Sequence, residues 1–328
     1  MKTLIAPKKI DYPVFEQYLT QAHYSNQFTN GGYAVGLLEE RARDMLKIDD
    51  SKAVIACCSG TAALHAMLFA IIRQDEQNHR VVTQDFTFAS ASQGPASGPI
   101  IVDFDNQLNF NFNDDYSHSY GKILIVTNVF GHLQNLEPLL DYAEKTGKMV
   151  VFDNAATPYS FWNGHNSCNF GIGSMVSLHH TKQIGFGEGG LAIIDKEYEE
   201  MVRTTINFGI INKQFNERGS NFKMSELSAA GILQYWDSFN IDKLKELLLD
   251  SYYEELYKAN LTGDGEPYFN NADKDEFLPG SLPFIFENPT DVSSFEKEDV
   301  KKYYHPLRGL RVSKHVYDRI IHFPLCKK

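Results

Sequence analysis

Short, uninterrupted apolar runs alternate along this chain with segments whose apolar residues recur every three or four positions. That pattern marks strands buried on both faces alternating with amphipathic helices. The runs predict strands over Ala53–Cys57, Arg80–Thr83, Ile100–Val102, Ile123–Thr127, Met149–Asp153, Ser174–Leu178 and Gly190–Ile194. Thr61–Arg73, with Leu64, Met67, Leu68 and Ile71 in step, predicts a helix with one buried face. Leu136–Thr146 repeats the pattern behind Asn135, a residue suited to capping. The βαβ alternation predicts an α/β fold with a large, mostly parallel sheet.

From Ser225 to about Ala259 the pattern is helical, with no proline and a single internal Gly231, which predicts one long helix leading out of the first domain. Asn260–Asp275 is rich in Gly, Asn and Asp and reads as a loop or hairpin tip. A strand-like run at Leu282–Phe286, an acidic helical segment around Glu296–Tyr304 and an apolar run at Ile320–Leu325 predict a small α+β domain. The expected division is a large domain over residues 1–235 and a small one over 236–328.

The chain has 328 residues, enough for two domains and a sizeable core. Its 31 Lys+Arg against 42 Asp+Glu give a formal net charge of −11, with no basic block. Nucleic acid and anionic membranes are therefore poor partners, and an anionic ligand must be held by local groups. The N-terminus carries charges and prolines and lacks an apolar signal segment, and no apolar run is long enough to span a bilayer. Cys57, Cys58, Cys168 and Cys326 form no CxxC pair and no zinc-ligand spacing, so they read as reduced thiols of a cytoplasmic protein, with no metal site.

Three segments carry candidate chemistry. In Ser59-Gly60-Thr61-Ala62 a strand gives way at once to a helix, and helix-start N–H groups beside a glycine and hydroxyls make a phosphate cup. The same residues would also serve as an ordinary cap. Asp153 ends an apolar strand, where α/β sheets bind ligands, although a strand-end aspartate can equally cap the next turn. Lys182 lies in a glycine-studded turn between two strands, either as a buried nucleophile or as a solvated turn lysine. In that order, on successive βα units, the three match the needs of pyridoxal 5'-phosphate: a phosphate site, a partner for the pyridine nitrogen and an imine-forming amine. Phe88, just beyond a strand, could stack on the ring or belong to the core.

These segments resemble the DegT/DnrJ/EryC1/StrS family of pyridoxal phosphate-dependent nucleotide-sugar aminotransferases. The resemblance runs through Gln27-Phe-Thr-Asn-Gly-Gly with Leu38-Glu39, Ser59-Gly-Thr-Ala-Ala-Leu64, Phe86-Thr-Phe-Ala-Ser90 and Asp153-Asn-Ala-Ala. It continues through Ser177-Leu-His-His-Thr-Lys182 with Gly187-Glu-Gly-Gly190, Gly219-Ser-Asn-Phe-Lys-Met-Ser-Glu-Leu227, Tyr303-Tyr-His-Pro-Leu307 and Ile321-His-Phe-Pro-Leu325. It implies the aspartate aminotransferase type of fold (fold type I). It also implies that Lys182 forms the imine, that Asp153 pairs with the pyridine nitrogen, and that Thr61 and Ala62, beside Gly60, bind phosphate through backbone N–H. Ser177 would add its hydroxyl, Phe88 would stack on the ring, and Asn221 would reach the phosphate of a neighbouring subunit, so that a homodimer shares its active sites. The implied reaction moves an amino group from L-glutamate to a nucleotide-linked 4-keto- or 3-keto-6-deoxyhexose, the 4-keto sugar on dTDP or GDP being preferred, for amino sugars of the O-antigen kind.

The chain departs from the family pattern in places. Ala156 stands where the family usually has Gln, His or Glu, so either Thr157 or water replaces that hydrogen bond or the bond is absent. The sequence runs only to Leu325-Cys-Lys-Lys, where many members continue into a helix, and several inserts are short. Lys213, Arg218, Lys223 and Arg308 are candidates to line the diphosphate path, and Tyr159, Phe161, Trp162 and Phe186 to meet base or sugar. Two rivals remain. One is a pyridoxal-dependent sugar dehydratase, which would call for histidine at the lysine position, with His179 and His180 close by. The other is a non-catalytic regulatory relative.

Overall fold

The computed structural model describes residues 2–74, 80–105, 107–112, 121–211, 213–215, 218–261, 263–268, 276–295 and 299–327. In chain order these form β1 (Lys2–Thr3), α1 (Tyr12–Ser25), α2 (Tyr33–Leu46), β2 (Lys52–Cys57), α3 (Gly60–Gln74), β3 (Val81–Gln84), β4 (Ile100–Val102) and β5 (Ile123–Thr127). There follow α4 (Leu136–Thr146), β6 (Met149–Asp153), the short β7 (Phe161–Trp162) and β8 (His165–Asn166), β9 (Gly173–Ser177), β10 (Gly190–Asp195) and α5 (Glu199–Ile206). The chain ends with α6 (Glu226–Trp236), α7 (Ile241–Asn260), β11 (Gly265–Pro267), β12 (Leu282–Phe286), α8 (Arg311–Arg319), β13 (Ile320–Phe323) and β14 (Cys326–Lys327).

A seven-stranded sheet in the order β2-β10-β9-β6-β5-β3-β4 forms the centre. Neighbours from β9 to β4 are parallel, and β10 runs antiparallel to both β9 and β2. The apolar runs are continuous because both faces are covered. In β2, Ala53, Ile55 and Cys57 pack with the α3 residues Leu64, Met67 and Leu68. Val54 and Ala56, one position out of step, pack with Leu38 of α2 and Ile232 of α6. β10 divides its residues in the same way, Ala192 and Ile194 to one face and Leu191 and Ile193 to the other.

The expected long helix is two. α6 ends at Trp236, whose indole N–H donates to the Ile184 carbonyl at 2.7 Å. α7 starts afresh behind Asn240, whose side-chain oxygen accepts from the N–H groups of Asp242 and Lys243 at 3.1 Å each. Asn135 does hold the cap position of α4, but its side chain makes no capping bond.

The acidic segment around Glu296–Tyr304 is not helical where it is described; residues 296–298 lie outside the described residues. Lys301 instead exchanges backbone hydrogen bonds with His322 of β13, which keeps this stretch extended. The small sheet has the order β11-β12-β13, all antiparallel, and the Asn260–Asp275 segment, in part outside the described residues, contributes β11 to it. The C-terminal helix is α8, further along. Its start is capped from elsewhere in the chain: the Asp103 carboxylate accepts from Val312 N at 2.7 Å and from Ser313 N at 2.9 Å. β1 pairs with β14, so the N-terminal segment is stitched to the C-terminal one. Among the described residues no helix is long and apolar enough to cross a membrane.

A buried carboxylate joins the two helices on the α6 face. Glu226, 0% exposed, accepts from Ala34 N at 2.7 Å and Val35 N at 3.2 Å and so caps α2. Gly32 allows the approach, because a Cβ there would lie 2.7 Å from the carboxylate carbon. Glu226→Ala would strand two helix-start N–H groups in a dry site and is expected to cost about 2–3 kcal/mol, with Glu226→Gln costing less because one acceptor stays. Urea unfolding measures the loss, and a wild-type midpoint for Glu226→Ala would contradict it.

Candidate active site

The carboxyl ends of β2, β3, β5, β6 and β9 open on one cavity of about 470 Å³. In a parallel sheet the strands all point the same way, so the residues that follow them converge at one edge.

The helix start comes first. Only Cys58 and Ser59 separate β2 from α3, and the Ser59 hydroxyl accepts the Ala62 N–H at 3.1 Å while its carbonyl accepts the Ala63 N–H at 3.0 Å. Among the described residues the Gly60 and Thr61 N–H groups meet no acceptor within the chain, and both residues line the cavity. Ala62 does not line it, and its N–H is taken by the Ser59 hydroxyl. Gly190, the first residue of β10, lets this turn lie against the sheet: a Cβ there would fall 2.4 Å from Gly60 N and from the Ser59 carbonyl carbon.

Asp153 ends β6 at 1% exposure. One carboxylate oxygen accepts from Ala155 N at 3.0 Å; the other, Oδ2, is buried with no hydrogen-bond partner. Burial pushes this carboxyl up to about 6, against the opposing pull of the Ala155 N–H and the Lys182 charge. Lys182 lies in the turn between β9 and β10 and lines the same cavity. Burial pulls its ammonium below the ordinary lysine value, while the Asp153 charge acts the other way. An orphan carboxylate oxygen and an amine that resists protonation therefore face one space.

Ser177, the last residue of β9, lines the cavity, and its hydroxyl oxygen accepts from His179 N at 3.3 Å. Phe88, 54% exposed, forms part of the wall, with its ring edge-on to Tyr304 at 6.3 Å. Tyr304 stacks on Phe130 at 5.5 Å and 11°. The Tyr303–Tyr304 segment is held here by Asp85, directly after β3: its carboxylate accepts from Arg308 N and Leu310 N at 2.6 Å each, and its carbonyl from Leu307 N at 2.9 Å. Sequence reasoning missed the N-terminal residues Leu4 and Ile5, which also line the cavity. No local pattern marks them, because only the β1–β14 pairing brings them there.

Other expectations end elsewhere. Asn221 is exposed, outside the cavity of its own chain, in a bridge with Asn207. Lys213, Arg218, Lys223 and Arg308 do not line the cavity; Lys223 donates to the Asn207 side chain at 2.7 Å. Tyr159 and Phe161 are core residues at 1% and 6% exposure, and neither Trp162, packed on Phe170, nor Phe186, beside Tyr235, reaches the cavity. Ala156 does line it, but Thr157 cannot make up the missing bond. Its hydroxyl donates to the Asn128 carbonyl at 2.8 Å and accepts from Gly131 N at 3.2 Å, fully buried. His179, at the mouth, shares a 2.8 Å hydrogen bond with Thr181 Oγ1 and lies 3.5 Å from Glu188.

The model of the DegT/DnrJ/EryC1/StrS aminotransferase family matches residues 11–265. The chain is 27% identical over 230 residues to a pleiotropic regulatory protein of Geobacillus stearothermophilus, covering 66% of this chain and 59% of that one. It is 27% identical over 193 residues to the GDP-perosamine synthase of Caulobacter vibrioides, covering 55% and 50%. The chain thus spans less than two thirds of either curated relative. In structure it is similar to Helicobacter pylori PseC, an aminotransferase involved in the biosynthesis of pseudoaminic acid, with a TM-score of 0.80, 17% identity and coverage of 98% and 93%.

The raised Asp153 pKa has a consequence for the protein free of ligand. The folded chain holds this proton more tightly than the unfolded one, so stability falls as pH rises from about 4 to about 6 and stays lower above that. Asp153→Asn removes the buried charge and is expected to raise stability at pH 7 by about 2 kcal/mol and to flatten its decline between pH 4 and 6. Denaturant midpoints at pH 4.5 and 7.5 test this, and an unchanged difference between the two would refute it.

Proposed function

Since the chain belongs to the DegT/DnrJ/EryC1/StrS aminotransferase family, we propose that it is a pyridoxal phosphate-dependent aminotransferase acting on a nucleotide-linked keto-6-deoxyhexose, a 4-keto sugar on dTDP or GDP, with L-glutamate as amino donor. The observation that carries this reading is a pair of groups at one cavity. Lys182 and the unpartnered Asp153 Oδ2 face one cavity, beside the free N–H groups at the start of α3.

These residues fit the cofactor. When bound, pyridoxal phosphate supplies an aldehyde that takes up amines and a ring that draws electrons from the carbon next to the nitrogen. Asp153 Oδ2 would accept the pyridine N–H and, as a buried anion, keep that nitrogen protonated. The N–H groups of Gly60 and Thr61, with the Ser177 hydroxyl, would hold the phosphate, and Phe88 would cover one face of the ring. Ala62 would support the helix start without touching the ligand. Lys182 Nζ would hold the cofactor by its aldehyde carbon. Once displaced by the donor, it would carry the proton off the donor's Cα and later return one to the sugar carbon. Burial favours this work by lowering the pKa of the amine below the ordinary lysine value.

We read the active form as a homodimer in the cytoplasm, with residues 1–235 as the cofactor-holding domain and 236–328 as the smaller one. Asn221 is exposed and pairs with Asn207, next to the exposed apolar residues Phe208, Ile210 and Ile211, which supports contact with a second copy and a phosphate contact from its partner. A regulatory reading draws on Ala156, which lines the cavity where the family usually has a hydrogen-bonding side chain, and on the name of the Geobacillus relative. The lysine at position 182 speaks against the dehydratase reading, which needs histidine there.

The purified protein loaded with pyridoxal phosphate is expected to show a visible absorbance band that borohydride abolishes. With L-glutamate and a dTDP- or GDP-linked 4-keto-6-deoxyhexose it should release 2-oxoglutarate and the amino sugar. Lys182→Ala should lose both band and turnover, and Asp153→Asn should slow the half-reaction with glutamate by orders of magnitude. Turnover by Lys182→Ala would sink the proposal. A band without amino transfer to any such sugar would favour the regulatory reading.

A further inference from the structure

The turn that carries Lys182 has no regular structure of its own, yet its carbonyls are capped by side chains from remote segments. The Lys8 ammonium donates to the carbonyls of His180 at 2.7 Å, Lys182 at 2.7 Å and Gly185 at 2.5 Å. The Tyr235 hydroxyl donates to the Gln183 carbonyl at 3.0 Å and the Trp236 indole to the Ile184 carbonyl at 2.7 Å. An ammonium has three donors, and all of Lys8's go to this turn. Its Nζ also sits 4.8 Å over the Tyr235 ring. The segment that bears Lys8 is tied on both sides: Leu4 N donates to Asp299 at 3.0 Å and Asp11 N to Gln234 at 3.0 Å.

We propose that Lys8 is a positioning residue for Lys182: by drawing three carbonyls of the turn onto one ammonium it sets where the Lys182 side chain leaves the backbone and directs the amine into the cavity. The inference rests on Lys182 being the amine proposed above. Lys8 does not itself line the cavity, and acts only through the turn. The titratable groups lining the cavity with Lys182 are Asp153 at the end of β6, His179 and Glu188 of its own loop, and Tyr303 and Tyr304 from the C-terminal segment. None is altered by a change at Lys8.

The test uses the cofactor-free full-length protein with Lys8→Met, which keeps the stem and removes the donors, and Lys8→Arg, which restores them in another geometry. Hydrogen exchange is read over residues 178–189. The pH midpoint of Lys182 acylation by acetic anhydride is read by mass spectrometry, with the exposed Lys145 as internal standard. In Lys8→Met the turn is expected to exchange about tenfold faster, as loss of a hydrogen bond of ordinary strength implies. The Lys182 midpoint should move up towards the ordinary lysine value as the amine escapes the cavity, and Lys8→Arg should return both part-way. A wild-type midpoint in Lys8→Met overturns the proposal even if exchange quickens, since that result describes a purely structural bond. If only Lys8→Arg folds, an unmoved midpoint in that variant overturns it as well. Neither readout involves pyridoxal phosphate, so a failure of Lys182 to take the cofactor would appear separately, in the borohydride assay.

Discussion

Keeping an amine and a carboxylate together in a cavity walled by aromatic and aliphatic side chains is the constraint on which this molecule turns. Each group loses hydration there. Burial lowers the Lys182 ammonium and raises the Asp153 carboxyl, and their mutual attraction only partly offsets the cost. Such a pair persists only where the backbone around it is held so firmly that neither side chain can swing out to water. Much of the remaining architecture supplies that hold.

The hold comes from polar side chains that seize backbone groups far away in sequence. Glu226 caps the start of α2, Asp103 the start of α8, Asp85 fastens the segment that brings Tyr304 over the cavity, and Lys8 gathers the turn of Lys182. In each case a side chain satisfies two or more N–H or C=O groups that secondary structure leaves unpaired, and charge makes the bonds strong. A sheet edge, by contrast, needs no such device. The strands β3, β5, β6 and β9 place their ends together through parallel pairing alone.

Glycine permits the closest approaches. At Gly190 the missing Cβ lets the start of α3 rest against the first residue of β10, so the N–H groups of that helix start and the lysine turn share one rim. The N- and C-terminal segments then close the remaining side, with β1 on β14 carrying Leu4 and Ile5 to the cavity and the extended Tyr303–Tyr304 stretch crossing from the other direction.

The central strands, the helix after Ser59 and the strand-end placement of Asp153 and Lys182 were legible along the chain. They follow from local periodicity and from the rule that ligands sit at the carboxyl edge of a parallel sheet. The break between α6 and α7 was also written locally, in the capping side chain of Asn240, but a continuous helical period masked it. What no local pattern could show was the C-terminal half of the site. The stretch before Tyr304 has helical periodicity and is extended because Lys301 pairs with His322; α8 begins where Asp103, 209 residues earlier, accepts its first N–H groups. Tyr159, Phe161 and Phe186 looked like ligand-facing aromatics and belong to the core, since an apolar ring reads the same in either place. The sequence by itself determined that Asp153 stands at the end of a strand and Lys182 in the turn between two strands. Tertiary structure decided which distant segments enclose them, because the bonds that do so join backbone groups to side chains with no periodic relation to one another.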